Sequence, residues 1–356
     1  TSLPDLQELR TEVNSWFTEA ALEASLGLVQ SETETIARRW LAKSGKRWRP
    51  FLTAGLWRTL QKNKKGPLPD TLRRLTMAVE CFHKASLIHD DIEDHDEQRY
   101  GEKTLHKRYG MPIALNVGDF LLGEGYRLIG ALDMAAERKE KILQVAAEGH
   151  RNLCLGQGAE LWWLSHQQLL SVKEVLEIFR QKTAPAFEVA LRFGAIYAGA
   201  APETEEILRQ YSEALGIAYQ IRDDLDDAET EPQNAGAWLC RKQPSILTAV
   251  AYERARGDDK TILKAFWQRG QCSDMIATRL DDLWKCLNVE AVTRDLLESY
   301  KNRALCVLSG LNNTDLKSML RRVISKIFYD VEVMSCCNDY QAGNAPSGPT
   351  GPKSAQ

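Results

Sequence analysis

Apolar residues recur at helical spacing almost everywhere along this chain, while short alternating runs of Val, Ile, Thr and Tyr bounded by turns are nearly absent. The pattern predicts an all-α protein. One stripe, Leu75, Val79, Phe82, Ser86 and Ile88-His89, runs straight into an acidic cluster, Asp90-Asp91-Ile92-Glu93-Asp94. A second passes through Ile178, Ala184, Phe187, Leu191 and Ala195. A third, Leu215, Ala218, Tyr219, Arg222 and Leu225, enters another cluster, Asp223-Asp224-Leu225-Asp226-Asp227. Both clusters are therefore expected at the ends of long apolar helices. Breaks rich in Gly, Pro, Asn or charge fall at 63–70, 99–112, 200–204 and 229–237. None resembles an interdomain linker, so a single helical domain is expected over 1–335, with 336–356 a disordered polar tail that cannot bury apolar area. The most apolar stretch, 184–201, is interrupted by Pro185, Glu188 and Arg192. It falls short of the roughly 20 apolar residues a membrane span needs and reads as a buried core helix, so no transmembrane segment is expected.

Composition narrows the class of partner. Of 356 residues 44% are apolar and 27% charged, with a formal charge of only -3, values of a soluble globular protein with nothing to suggest nucleic acid. An anionic partner would have to be met by locally concentrated cations. Eight cysteines, at 81, 154, 240, 272, 286, 306, 336 and 337, show no zinc-type spacing. They are expected to be reduced and mostly buried, in a cytoplasmic protein. The N-terminal stretch lacks the basic-then-apolar pattern of a signal peptide.

The acidic clusters carry the chemistry. At about 100° per residue, Asp90 and Asp94 project from one helix face a turn apart, with Asp91 beside them. Three like charges within a turn repel one another, so a bound cation would offset a real cost. All-oxygen ligands favour magnesium, which keeps several waters and binds through few carboxylates plus substrate phosphates. The same holds for Asp223, Asp224 and Asp227. An acidic run on a helix is usually a solvated face. Here each follows an apolar stripe and the same spacing occurs twice, which favours two metal-binding ridges able to flank one diphosphate. Asp281-Asp282 lacks a third carboxylate and reads as surface. Positive charge for the phosphates is offered by Gly45-Lys46-Arg47-Trp48-Arg49-Pro50, by Arg99, Lys103, His106, Lys107 and Arg108 after the first cluster, and by Lys182, Arg241 and Lys242.

Taken in order, these pieces resemble the trans-prenyltransferase family, the isoprenyl diphosphate synthases, over roughly residues 35–330. Gly45 to Pro50 is similar to the family's GKRxRP motif. His83, seven residues before Asp90, matches its histidine, and the two DDxxD clusters, Gly118-Asp119, Gly156-Gln157, Lys182-Thr183 and Tyr219-Gln220 complete the series. The resemblance implies an antiparallel helical bundle of the isoprenoid synthase type around a central cavity, a homodimer, and three magnesium ions held by Asp90, Asp91, Asp94, Asp223, Asp224 and Asp227. It implies that Lys46, Arg49 and His83 bind isopentenyl diphosphate, that Arg99 grips the allylic diphosphate, and that Lys242 is the best match to a further substrate lysine. Ionisation of the allylic diphosphate, attack by isopentenyl diphosphate and loss of a proton would follow, with Thr183 and Gln220 stabilising the cation and Lys182 the departing diphosphate.

Three departures from the family's pattern stand out. Where it usually has two arginines before a glycine, this chain has Arg99-Tyr100-Gly101, and a phenol is no fixed cation at neutral pH. Lys103 or Arg108 are candidates to take over. The stretch Cys240 to Ser245 replaces a lysine-rich pattern, and Lys84 stands between His83 and Ala85 where a small polar residue is common. Product length can be approached by geometry, since side chains one turn before the first cluster point down the pocket for the growing tail. Here they are Ala85 and Ser86, too small to plug it, so products of about twenty carbons or longer are expected, with Phe82 either a floor one turn deeper or simply core. Two alternatives stay open: a class I terpene synthase or cyclase using the same ionisation site, and a noncatalytic subunit of a synthase.

Overall fold

The computed structural model describes residues 6–43, 45, 47–62, 66–166, 168–230, 244–269 and 282–328, of which the side chains at 230 and 265–269 are not described. Helices dominate, as the periodicity predicts. They are α1 (Leu6–Ser15), α2 (Glu19–Leu26), α3 (Glu32–Ala42), α4 (Trp48–Leu60), α5 (Asp70–Glu93), α6 (Leu105–Tyr109), α7 (Met111–Gly130), α8 (Ala136–His166), α9 (Val172–Ala198), α10 (Pro202–Thr230), α11 (Ile246–Arg254), α12 (Gly257–Arg269), α13 (Val289–Val307) and α14 (Thr314–Phe328). Local chemistry starts and stops them. Ser31 and Ser171 accept the amides of Glu34 and Glu174, and the Glu174 carboxylate returns the bond to the Ser171 amide in a full capping box. Gly199, at φ 74°, ends α9 in the left-handed conformation that costs other residues strain.

One expectation needs correction. The break at 99–112 is not irregular: it holds a two-stranded hairpin, β1 (Gln98–Arg99) and β2 (Glu102–Lys103), followed at once by α6 and the start of α7. Strands of two residues are too short to show an alternating pattern. Tyr100 (φ 55°) and Gly101 (φ 73°) form the connection, both in the positive-φ region that a two-residue hairpin turn with the right twist requires.

The chain divides into two compact units, one built from residues within 52–72 and 132–324, the other from 7–51 and 73–131. In the first, α8, α9 and α10 pack on one another in succession and α10 also packs on α13. Gly149 lies against Val189 and Gly156 against the backbone of Gln181 and Lys182, a step of seven along α8 matched by an opposite step along α9. The two helices are thus antiparallel and nearly touch. A methyl group at Gly156 would sit 2.6 Å from the Lys182 amide nitrogen, too close for any packing. Gly216 does the same for α10 against Ala184. In the second unit α3 and α6 pack on α7. There Gly118 receives the His89 ring and Gly125 the Phe82 ring, which sets α7 antiparallel to α5.

Among the described residues, no helix is long and apolar enough to cross a membrane. The expectation of mostly buried thiols fails there: Cys81 is buried, but Cys154, Cys286 and Cys306 lie exposed. Cys154 and Cys306 lie on the solvent faces of α8 and α13, which their own helical periods assign to solvent rather than to the core.

Candidate active site

In the second unit the first aspartate cluster closes α5, with the amide of Asp94 donating to the Asp90 carbonyl at 2.8 Å so that the helical bonding continues through the cluster. Asp90 and Asp94 are half-buried. Asp91 is not beside them in solvent: it is 1% exposed, and the Arg99 Nε donates to its Oδ1 at 2.5 Å. Arg99 is itself 3% exposed and has Asp96 3.6 Å away as a second acidic neighbour. Burial pushes the Asp91 carboxyl up to about 7 against the pull of that guanidinium, and its Oδ2 is buried without a hydrogen-bond partner. A buried carboxylate with one oxygen on a cation and one unsatisfied is a site that still lacks a positive partner.

The basic segment shows a division of labour that spacing alone did not suggest. Arg47 turns inward, 7% exposed, donating to the carbonyls of Leu41, Ala42 and Lys43 at 2.9–3.1 Å and pairing with Glu80 at 3.0 Å. It thereby caps the C-terminal carbonyls of α3. Arg49 lies over the Trp48 ring at 4.3 Å and stays half-buried. Lys46 falls outside the described residues, as does Lys242. His83 is half-buried on α5, with its carbonyl accepting the Ser86 hydroxyl at 2.8 Å. Of the two cations suggested for position 100, Lys103 is exposed and Arg108 faces Glu102 at 3.5 Å. Ala85 is fully buried, and Phe82 meets Tyr126 edge-on at 4.9 Å.

In the first unit, close contact of α8, α9 and α10 sets the remaining expected residues. Lys182 on α9 donates to both carboxylate oxygens of Glu160 at 2.8 and 2.9 Å. Glu160, 7% exposed, is the residue sequence reasoning missed. A signal was there, since it stands one helical turn after Gly156 on the face of α8 that meets α9. Thr183 and Gln220 are half-buried. The second cluster lies three residues from the end of α10. Arg222 donates to Asp223 at 2.8 Å and stands over the Tyr219 ring at 4.7 Å. Asp224 accepts the Ile246 amide at 2.7 Å, at the N-terminus of α11, where the helix dipole favours an anion. Even so, desolvation pushes both Asp223 and Asp224 up to about 7, with Asp227 adding repulsion to each.

The donor set in both clusters is all carboxylate oxygen and crowded, with Asp91, Asp223 and Asp224 raised in pKa, which fits a hard divalent cation. Among the described residues no three such groups already form a cage.

Comparison with known proteins bears on the same residues. The family model described as Polyprenyl synthetase matches residues 30–283, a span that includes both aspartate clusters. A "Short chain isoprenyl diphosphate synthase" of Methanocaldococcus jannaschii is 28% identical over 56% of this chain and 59% of its own length, so the match spans less than two thirds of that relative. The "Farnesyl diphosphate synthase" of Haemophilus influenzae is 31% identical over 65% of this chain and 78% of its own. Among solved structures, the polyprenyl synthase from Caulobacter crescentus CB15, complexed with calcium and isoprenyl diphosphate, superposes with a TM-score of 0.69 at 26% identity, covering 91% of this chain and 97% of that one.

Proposed function

The chain belongs to the polyprenyl synthetase family, and from that premise we infer that it is a divalent-metal-dependent prenyltransferase that ionises an allylic diphosphate and condenses the resulting cation with isopentenyl diphosphate. The observation that carries this reading is the family match over residues 30–283, within which both aspartate clusters stand complete. Asp90, Asp91 and Asp94 on α5 and Asp223, Asp224 and Asp227 on α10 would hold magnesium, three ions in all as the family resemblance implies. When bound, the metal draws electron density from the leaving diphosphate and stabilises its negative charge.

The chain's own residues have separate tasks. Lys182, oriented by Glu160, neutralises the departing diphosphate. Thr183 and Gln220 turn oxygen dipoles toward the allylic cation, and the departed diphosphate takes the proton lost from the condensed product, so no side chain need act as base. Lys46, Arg49 and His83 bind isopentenyl diphosphate, Arg99 supports the allylic diphosphate, and Lys242 contributes to substrate binding. Arg99 does so largely through Asp91, because its guanidinium is almost wholly buried on that carboxylate.

Product length is set in this reading by Phe82. Ala85 and Ser86 leave the tail pocket open, and Phe82, braced by Tyr126 and seated on Gly125, forms its floor, which favours a product of about twenty carbons or longer. The enzyme is taken to be one catalytic domain over 1–335 that works in the cytoplasm as a homodimer. Exposed Met111, Ile113 and Leu115 on α7 support the dimer as apolar surface that a second copy would cover.

The test is purified protein with magnesium and the ten-, fifteen- and twenty-carbon allylic diphosphates, each with and without isopentenyl diphosphate, products resolved by mass. A diphosphate longer by five-carbon units is expected only when isopentenyl diphosphate is present. Hydrocarbon released in its absence would overturn elongation in favour of a cyclase, and no turnover of any pair would point to a noncatalytic subunit.

A further inference from the structure

On several surface helices this chain meets a cation with an acid one turn earlier. Arg127 follows Glu124 on α7, Arg180 follows Glu177 on α9 and Arg209 follows Glu206 on α10, each pair in contact at 2.6 or 2.7 Å. The last helix, α14, breaks that habit. Three and four residues before Arg321 stand Ser318 and Lys317, before Arg322 Met319 and Ser318, and before Lys326 Val323 and Arg322. Lys317 with Arg321, and Arg322 with Lys326, are instead like charges one turn apart, an arrangement that weakens a helix. The one acid of α14, Asp315, lies in its first turn, where the helix dipole favours it. Among the described residues neither Arg322 nor Lys326 pairs with a carboxylate.

The inner face of α14 is fully used. Leu316, Met319, Leu320 and Ile324 are buried, the Tyr211 hydroxyl of α10 donates to the Leu320 carbonyl at 2.9 Å, and the Asn313 side chain ties the start of the helix to the Thr59 carbonyl at 3.2 Å. Helical period then fixes what is left outside. Lys317 and Arg321 fall along one edge of the outer face, Arg322 and Lys326 along the opposite edge, and Ser318 and Ser325 run between them. Arg321, Arg322, Ser325 and Lys326 are exposed. With its apolar side committed to the core, α14 has none to insert into a lipid phase. It offers four positive charges in two rows, on a chain whose net charge is -3.

We propose that the outer face of α14 docks the protein on an anionic phospholipid surface through electrostatics alone. Two rows of cations flanking small side chains match a plane of headgroups. A single nucleic acid strand calls instead for a groove that tracks one backbone and for aromatic rings to stack on, and no ring stands between these rows. The anionic surface would also offset the repulsion within each like-charge pair. Docking there would set the release of a long prenyl diphosphate beside the phase into which its chain partitions. The choice of a lipid partner rests in that respect on the prenyltransferase reading, whereas the charge pattern does not.

The test is flotation of the full chain, without substrate, on vesicles of phosphatidylcholine alone or with about one third phosphatidylglycerol, at about 0.05 M and about 0.5 M salt. Binding is expected only to the anionic vesicles and only at the lower salt. A cation near such a surface is worth about a fivefold change in partition coefficient, so Arg322→Gln/Lys326→Gln should bind about thirtyfold more weakly. The control Arg151→Gln/Lys173→Gln, which removes two exposed cations from α8 and α9, should stay within about threefold of the parent. Both double variants should keep the parent's circular dichroism and its turnover in vesicle-free solution. Equal binding to neutral vesicles, binding that survives high salt, or equal losses in the two double variants would overturn the proposal. So would retention on heparin without binding to anionic vesicles, which would assign the face to a soluble polyanion. A protein that floats with anionic vesicles but does not elongate defeats the prenyltransferase reading alone, whereas one that elongates and does not float defeats only this proposal.

Discussion

At the end of α5 the second carboxylate of the cluster, Asp91, is driven inward onto a guanidinium eight residues further along the chain, whereas at the end of α10 its counterpart, Asp224, accepts a backbone amide from the start of α11. The spacing of the carboxylates is the same and so is the upward push on their pKa, to about 7 in both places. What differs is the group that holds each one. Asp91 depends on a charge that is as buried as itself, so the two stand or fall together. Asp224 depends on the Ile246 amide and the Ser245 side chain, neither of which carries a charge. Two copies of one motif can thus share their chemistry and differ sharply in fragility.

The largest expected effect ignores this difference. Asp90→Ala and Asp224→Ala should each lower product formation by about a thousandfold or more, because in the proposed reading each removes a metal-holding oxygen from its cluster. Turnover within tenfold of the parent in both variants, by the same mass-resolved assay, would end the metal-ridge reading. The next effect exposes the difference. Arg99→Gln leaves Asp91 buried without its cation and should cost about 3–5 kcal/mol in urea unfolding, while Arg222→Gln should cost about 1 kcal/mol because Asp223 and Asp226 still reach water. Equal losses would erase the contrast between the clusters.

The remaining effect concerns protons. Asp91, Asp223 and Asp224 titrate near 7 in the folded chain and near the ordinary aspartate value of about 4 when unfolded. Between those values the folded state binds more protons, so stability falls as pH rises from about 4 to about 7 and then levels. The melting temperature of the metal-free protein should follow that slope. Magnesium with inorganic diphosphate should raise it more at pH 8 than at pH 5, since protons compete with the metal for the same oxygens. A metal response independent of pH would show that these carboxylates are not the ligands.

Several of these features were legible before any coordinates. The stripes leading into Asp90 and Asp223 fell on α5 and α10, and the order of basic, aspartate-rich and Lys-Thr segments pointed to the family that the comparisons then matched. The hairpin was not legible, because two-residue strands carry no period. Nor was Arg47's inward turn: within a run of three cations the sequence does not say which one caps the preceding helix and which ones face a ligand. Glu160 was passed over because one glutamate on a long amphipathic helix looks like any other until Lys182 is placed opposite it.

By itself, then, the sequence determined which segments are helical and where the carboxylates stand along them, because helical period and residue spacing are properties of neighbours in the chain. Only the tertiary structure decided how each charge is used. It turned Asp91 onto Arg99, set Glu160 on Lys182, and brought Lys84 to Tyr100, joining two residues that each depart from the family's pattern. The physical reason is that solvation and pairing of a charge depend on what folds against it, and those partners come from other turns, other helices and a hairpin that no local pattern announces.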